Sequence, residues 1–224
     1  MAEVIEVGAS AGSVSLKEPT ADSIYMFCYT SGTTGDPKAA MLSHSNLLAA
    51  AAASILTGVT IDNTSTIISY LPLAHSFEKF LFITALIGGG RIGYYSGDPL
   101  KILDDLQVLK PTVFPSVPRL FNRIYDRIIA GVKEQSASKQ WLFNKAVNSK
   151  TYYHAKDASY THKFYDTVIF KKMRNLLGGN VVLMCTGSAP INGDVLNYLK
   201  VVFGCPIIEG YGATESSAPI TATW

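Results

Sequence analysis

Short apolar, β-rich runs alternate with segments of helical periodicity along most of these 224 residues, and no other feature limits the fold as much. Ile24 to Tyr29 reads as a buried strand, followed by strand-like runs at Thr66–Leu71, Arg91–Tyr95, Thr112–Phe114, Val181–Cys185 and Pro206–Glu209. Between them, Ser43 can cap a helix over Leu47–Leu56, and an apolar helical stretch covers Phe80–Ile87. Asp98-Pro99 forms an N-cap and N1 pair for a helix carrying Ile102, Leu106 and Leu109 on one face, ended by Pro111. Pro118 opens another helix with Leu120, Ile124 and Ile128 on one side, closed by Gly131. Val195, Leu196, Leu199, Val202 and Phe203 trace an amphipathic helical stripe. Such alternation predicts an α/β fold of parallel β-strands joined by helical crossovers.

In sheets of that kind, ligands sit beyond the carboxyl ends of the strands. The polar, Gly-rich loops at Thr30, Gly187 and Gly210 each follow a strand candidate, so these loops are where a site is expected. A hydrophobic content of 48% with 16% charged residues describes a chain that buries a core and excludes disorder. Averaged over the chain, the net charge of +2 gives no strong pull toward nucleic acid or membrane. Cys28, Cys185 and Cys205 are far apart, which suggests a reducing compartment with buried thiols and no disulfide framework. The longest apolar run, Phe80–Ile87, is too short for a bilayer-spanning helix of about 20 residues.

The loop YTSGTTGDPK, Tyr29 to Lys38, crowds hydroxyls and glycines ahead of a lysine, as an oxyanion site requires. It is not a Walker A loop: Gly32 and Gly35 are too close, Pro37 precedes the lysine, and Ala39 stands where Ser or Thr would hold magnesium. Gly32 and Gly35 still let the backbone turn its N–H groups toward an anion. Thr30, Ser31, Thr33 and Thr34 add hydroxyl donors and Lys38 adds charge. As composition alone, the loop fits a phosphate site and an ordinary Gly/Thr-rich turn about equally.

As a complete string it resembles the signature loop of the adenylate-forming (AMP-binding) superfamily, which includes acyl-CoA synthetases, luciferases and peptide-synthetase adenylation domains. LPLAHSFEK (Leu71–Lys79) resembles the long-chain acyl-CoA synthetase form of that family's second motif. MCTGSAPI (Met184–Ile191) resembles its S-G-x-A-P loop, and IIEGYGATES (Ile207–Ser216) its Y-G-x-T-E motif. PTVFPSVPRLFNRIYDRI (Pro111–Ile128) is similar to the eukaryotic-type long-chain branch. The resemblance runs from about Asp22 onward, so residues 1–21 read as a lead-in and 22–224 as part of the large AMP-binding domain.

The resemblance implies that a long-chain fatty acid carboxylate attacks the α-phosphate of ATP, giving an acyl-adenylate and pyrophosphate. The coenzyme A thiol then displaces AMP and leaves a thioester. Thr30, Ser31, Gly32, Thr33, Thr34 and Lys38 would hold the β/γ-phosphates. Glu215 would bind Mg²⁺, with Thr30 approaching the same ion, and Thr214 would contact the α-phosphate. Tyr211 would stack on adenine, and Gly187, Glu209 and Gly210 would line the nucleotide pocket. His75 would sit near the acyl chain and α-phosphate, with Ser76 beside it. Taken singly, Glu215 also fits a solvated surface acid, Tyr211 a strand-end core aromatic and His75 a packed, hydrogen-bonded histidine. The motif context favours the binding roles, most firmly for Tyr211, Thr214 and Glu215.

Ala39 stands where the family usually has glycine, and no T-G-D motif or C-terminal lysine domain follows. The chain is therefore expected to be a central slice of a synthetase, with little turnover by itself; a non-catalytic nucleotide- or acyl-binding fragment is the alternative. The remote alternative is a serine hydrolase, since GASAG (Gly8–Gly12) satisfies G-x-S-x-G. That elbow needs a strand before it and a helix directly after. VIEV offers a strand, but SVSLKEPT is a poor helix start.

Residues 133–174 form a basic, aromatic helical insertion with nine Lys/Arg against three Asp/Glu. Three readings stay open for it. Its aromatics pack inward with solvated lysines, the first expectation, or it makes a peripheral contact with an anionic membrane. The third, single-stranded nucleic acid, is not expected. The location expected is cytoplasmic, extending to the cytosolic face of a membrane such as the endoplasmic reticulum.

Overall fold

The computed structural model describes residues 1–13, 15–30, 35–56, 58 and 61–223. It begins with helix α1 (Ala2–Ser10) and a hairpin of β1 (Ile24–Thr30) and β2 (Lys38–Ser43). Then follow α2 (His44–Leu56), β3 (Thr66–Ser69), α3 (Ser76–Gly88), β4 (Arg91–Tyr94), α4 (Ile102–Leu109) and β5 (Val113–Ser116). Helices α5 (Pro118–Lys133), α6 (Ala137–Asp157), α7 (Lys163–Tyr165) and α8 (Lys171–Arg174) lead to β6 (Leu183–Gly187). The last elements are α9 (Gly193–Phe203), β7 (Ile207–Ala213) and β8 (Ala218–Ala222).

The six-stranded sheet has the order β4-β3-β5-β6-β7-β8. All neighbours are parallel except β7 and β8. The α/β class read from the alternation is therefore observed. Strand β3 connects outward to β4 and the chain then returns to β5 on the other side, so the order reverses between β3 and β5. A crevice opens at the carboxyl ends at such a reversal.

Both faces of the sheet are covered. Ile68, Phe114, Met184 and Ile207 join Leu106, Phe121, Phe143 and Leu199 in one core. The alternate positions Ile67, Val113, Leu183 and Ile208 join Ile61 and Ala85 in a second. Alternate residues of a strand point to opposite faces, so α4, α5, α6 and α9 lie on one side and α3 on the other. Phe114, Phe121 and Leu199 are fully buried, each contributing about 2 kcal/mol through removal of apolar surface from water.

The helix ends follow local chemistry. Ser43 Oγ accepts from the Asn46 N–H at 3.3 Å and starts α2. Asn192 Oδ1 accepts from the Asp194 N–H at 2.7 Å and caps α9. Gly88 lies against Ile61, whose carbonyl oxygen would be 1.9 Å from an added Cβ.

Several expectations are corrected. The strand at Ile24 is neither buried nor part of the parallel sheet; it pairs antiparallel with β2 and leaves Phe27 and Tyr29 exposed. Asp98-Pro99 makes a turn, with Asp98 Oδ1 accepting from the Leu100 N–H, and the helix starts three residues later at Ile102. Helix α5 runs through Gly131 to Lys133. Strand β5 continues past Phe114 through Pro115, although proline provides no N–H to the ladder. VIEV is helical within α1, and Ser10 Oγ donates to Val7 O at 2.9 Å. Without a strand before Ser10, the elbow geometry that a serine hydrolase needs is absent.

The 133–174 segment divides its side chains between two environments. Phe143, Ala146 and Phe170 are buried in the core. Lys150 is also buried; its Nζ donates to Asp166 Oδ1 at 2.8 Å and lies 4.6 Å from the Phe170 ring centre. Arg174 Nη2 is 2.9 Å from Asp166 Oδ2. Among the described residues no helix is long and apolar enough to cross a membrane.

Candidate functional site

The carboxyl end of β6 lies beside the middle of β7, with Gly187 paired to Gly210. A Cβ on Gly187 would stand 3.1 Å from the Gly210 carbonyl oxygen, so the pair of glycines permits the close approach. Past Gly187 the chain turns through Ser188 at φ 72°, and past the Thr214–Ser216 turn it passes Ser217 at φ 62° and Ala218 at φ 95°. Non-glycine residues in this region are strained, and here they cluster at the ends of the site strands.

The Y-G-x-T-E segment is not the loop that its glycines suggested. Glu209 to Ala213 belong to β7, and β8 folds back antiparallel beside them. Gly212 makes this possible, because a Cβ there would lie 1.5 Å from Ala218 O. The turn that follows is held by Ser216, whose Oγ accepts from the Ala213 N–H at 3.1 Å and donates to Ala213 O at 2.9 Å.

Between α3 and β6–β8 lies a cavity of about 370 Å³. His75, Ser76, Gly187, Gly210, Tyr211 and Thr214 line it, so six of the sequence-predicted residues converge there. Tyr211 is 69% exposed, which excludes a core role for its ring. His75 caps α3 with Nδ1 accepting from the Phe77 N–H at 3.2 Å. The neutral ring therefore carries its hydrogen on Nε2, free to donate elsewhere. Ser76 is buried at the same helix start.

Thr30, Lys38, Glu209 and Glu215 do not line the cavity. Thr30 pairs with Lys38 across the hairpin, and its Oγ1 donates to Lys38 O at 3.4 Å. The hairpin is tied to α3 by Cys28 Sγ, which donates to Ala74 O at 3.1 Å, and by Lys79, whose Nζ is 5.3 Å from the Tyr25 ring centre. Strand β2 also lies against the Thr214–Ser216 turn. Lys38 and Glu215 are exposed, and neither side chain has a partner among the described residues. Glu209 is half-buried, and its N–H donates to Thr223 Oγ1. Ser31, Gly32, Thr33 and Thr34 lie outside the described residues.

Among the described residues no three His, Cys, Asp or Glu side chains gather to hold a metal. Magnesium commonly takes one or two carboxylates and completes its shell with water and substrate phosphate oxygens. The unpaired carboxylate of Glu215 fits an ion arriving with a nucleotide.

The apolar wall was not identified as such from the sequence. Phe80, Leu81 and Thr84 of α3, Ile61, Cys185 and Ile208 line the cavity together with β8. Phe80, Leu81 and Thr84 share a helical face, a detectable signal. Strand β8 was not among the strand candidates of the sequence. Burial pushes the Cys185 thiol up to about 12.

The AMP-binding enzyme family matches residues 3–224. The Arabidopsis thaliana protein named long chain acyl-CoA synthetase 7, peroxisomal, is 44% identical over 208 residues, covering 91% of this chain and 29% of that protein. The human long-chain-fatty-acid–CoA ligase 1 is 40% identical over 205 residues, covering 90% of this chain and 29% of the ligase. The chain thus spans under a third of the length of these relatives. The adenylation domain of a carboxylate reductase from Mycobacterium chelonae superposes with a TM-score of 0.72 at 22% identity, over 100% of this chain and 31% of that one.

Proposed function

Since the chain belongs to the AMP-binding enzyme family, we propose that it forms the central part of a long-chain fatty acid–CoA ligase. The observation that carries this reading is one cavity with two chemistries. Its lining joins the apolar Ile61, Phe80, Leu81 and Ile208 with Gly187, Gly210, Tyr211, Thr214 and His75. An acid with an apolar chain and a nucleotide can meet at such a boundary.

In the first reaction a fatty acid carboxylate oxygen bonds to the α-phosphorus of ATP while the bond to pyrophosphate breaks. In the second, the coenzyme A thiol bonds to the acyl carbon, loses its proton and releases AMP. The acid is already ionised near neutral pH, so the first step depends on positioning and on charge neutralisation. Lys38, Thr30 and the residues through Thr34 hold the β/γ-phosphates. Glu215, with Thr30 close by, binds the Mg²⁺ that accompanies ATP and spreads the phosphate charge. Thr214 contacts the α-phosphate. Tyr211 presents its exposed ring to adenine, with Gly187, Glu209 and Gly210 lining the nucleotide site. His75 directs its Nε2–H at the carboxylate or α-phosphate, and Ser76 borders the acyl chain.

Residues 22–224 make up the AMP-binding portion in this reading, and 1–21 lead into it. Residues 133–174 add a peripheral membrane contact, which suits an enzyme whose substrate partitions into lipid. The location is the cytoplasm, at the cytosolic face of a membrane such as the endoplasmic reticulum.

Pyrophosphate exchange with palmitate and ATP tests the assignment, on this chain and on one extended at both ends. Exchange in the extended form supports it. Absence of exchange in both, with correct folding, sinks it.

A further inference from the structure

Helix α6 presents two different faces. Phe143, Ala146 and Lys150 turn inward. On the outer side, Trp141, Lys145, Tyr152 and Lys156 fall at intervals of one, two and one helical turns and form a single exposed stripe. Trp141 is 62% exposed, with Lys145 Nζ 4.9 Å from its ring centre. The stripe continues through a ladder of rings. Tyr152 meets Tyr153 at 5.5 Å, Tyr153 meets His162 at 5.9 Å, His162 meets Tyr165 at 4.5 Å, and Tyr165 meets Phe164 at 5.4 Å. Phe164 is 60% exposed, and Val168 one turn later is also exposed. Lys163, Lys171 and Lys172 stand exposed beside them.

We propose that this continuous face of α6 and α7 docks on an anionic lipid surface, resting on the reading that residues 133–174 make a membrane contact. Large exposed apolar patches rimmed by charge mark interaction sites. Rings of this kind settle at headgroup depth, while lysine stems lie along apolar surface with their heads among the phosphates.

The charge supports a lipid surface. Asp166 is turned inward between Lys150 and Arg174, so from α6 to α8 only the exposed Asp157 offsets the outer lysines. The outer cations are all lysines, and the one arginine of the segment belongs to that inner pair. Lysines act as point charges toward a diffuse anionic layer, whereas planar recognition of bases and phosphates favours arginine. Two of these ring contacts are edge to face, at 77° for Tyr152–Tyr153 and 68° for Phe164–Tyr165, and each sets an edge against a face that a base would otherwise stack on.

Vesicle sedimentation tests the proposal with this chain and no ATP or fatty acid, so its outcome is independent of the ligase assignment. Binding is expected to phosphatidylcholine vesicles containing phosphatidylserine and not to phosphatidylcholine alone. Replacing both Lys145 and Lys156 by Gln is expected to weaken it by about tenfold or more. In a Trp224→Phe background, the Trp141 emission is expected to shift to the blue on binding. Trp141→Ala with Phe164→Ala, both at exposed positions, is expected to weaken binding without changing the circular dichroism. No binding to the anionic vesicles, equal binding to neutral ones, or an unshifted Trp141 emission overturns the proposal. So does binding confined to a single-stranded oligonucleotide, which assigns the face to nucleic acid.

Discussion

Ser69 Oγ donates a hydrogen bond to Glu78 Oε1, tying the end of β3 to the first turn of α3 inside the protein. Both residues are buried, and Glu78 Oε2 has no hydrogen-bond partner. Burial raises the Glu78 carboxyl above its ordinary 4.5, against the opposing pull of the Ser69 bond. A carboxyl raised on folding contributes stability below its unfolded value and loses it as pH rises through the folded one. Glu78→Gln is therefore expected to stabilise the protein near neutral pH, by about 1 kcal/mol, with the gain shrinking as pH falls through the raised folded value and gone below the ordinary 4.5. Urea titrations at two pH values measure it, and a loss of stability at neutral pH contradicts the prediction.

Asp166 shows the opposite sign. Burial works to raise its pKa, but hydrogen bonds from Lys150 Nζ and the His162 N–H prevail, and it falls below 3.8. Its contribution is present above pH 3.8 and is lost as pH falls through the lower folded value. Asp166→Asn leaves Lys150 buried without a carboxylate, an expected loss of about 3 kcal/mol near neutral pH. On acidification the variant should lose less further stability than the parent, which acid unfolding curves will show.

Burial pushes the thiols of both Cys185 and Cys205 up to about 12, from 9.0. At mildly alkaline pH the thiolate fraction, and with it the alkylation rate, should fall about a thousandfold below that of the unfolded chain. Mass spectrometry after brief iodoacetamide treatment should find both unmodified when folded and labelled in denaturant. Rapid labelling of Cys185 in the folded protein contradicts the prediction.

The two unpaired charges near the Thr214–Ser216 turn have a direct readout. Lys38→Ala and Glu215→Ala are each expected to weaken MgATP binding by about tenfold or more, as loss of a charge-assisted contact does. Ser10→Ala, at the end of α1, should leave it unchanged. Equal affinity in all three by isothermal titration refutes the assigned phosphate and magnesium roles.

Gly212→Ala tests the close approach of β7 and β8. The new methyl would overlap the Ala218 carbonyl, at 1.5 Å, so one strand must move. An expected loss of about 3 kcal/mol or more in denaturant titrations follows.

The central sheet was legible because β3, β5, β6 and the start of β7 at Ile207 and Ile208 are buried and read as short apolar runs. The hairpin was not, because KAAMLS has weak β-propensity and gains its order by pairing with β1. At the site, composition pointed to Gly187 and Gly210 but misjudged the local structure. Glycine after a strand usually signals a turn, whereas in Gly212 it signals a second strand pressed close. The inward role of Lys150 was hidden because nothing near it in sequence marks Asp166 as its partner sixteen residues later. The apolar wall is assembled from α3, β6, β7 and β8, and only the folded chain brings these together.

The placement of β8 also has a temporal side. Helix α3 forms one side of the cavity and Ala218–Ala222 part of another, so more than 120 residues separate two walls of the same chamber. A chain made from its amino end presents α3, β3 and β5 to the cytosol first, while β8 is still to come. The cavity cannot exist until this strand has left the ribosome and crossed back to β7. Closure over such a distance is slow compared with helix formation. Until it happens, the face of α3 that meets β8 has no partner strand.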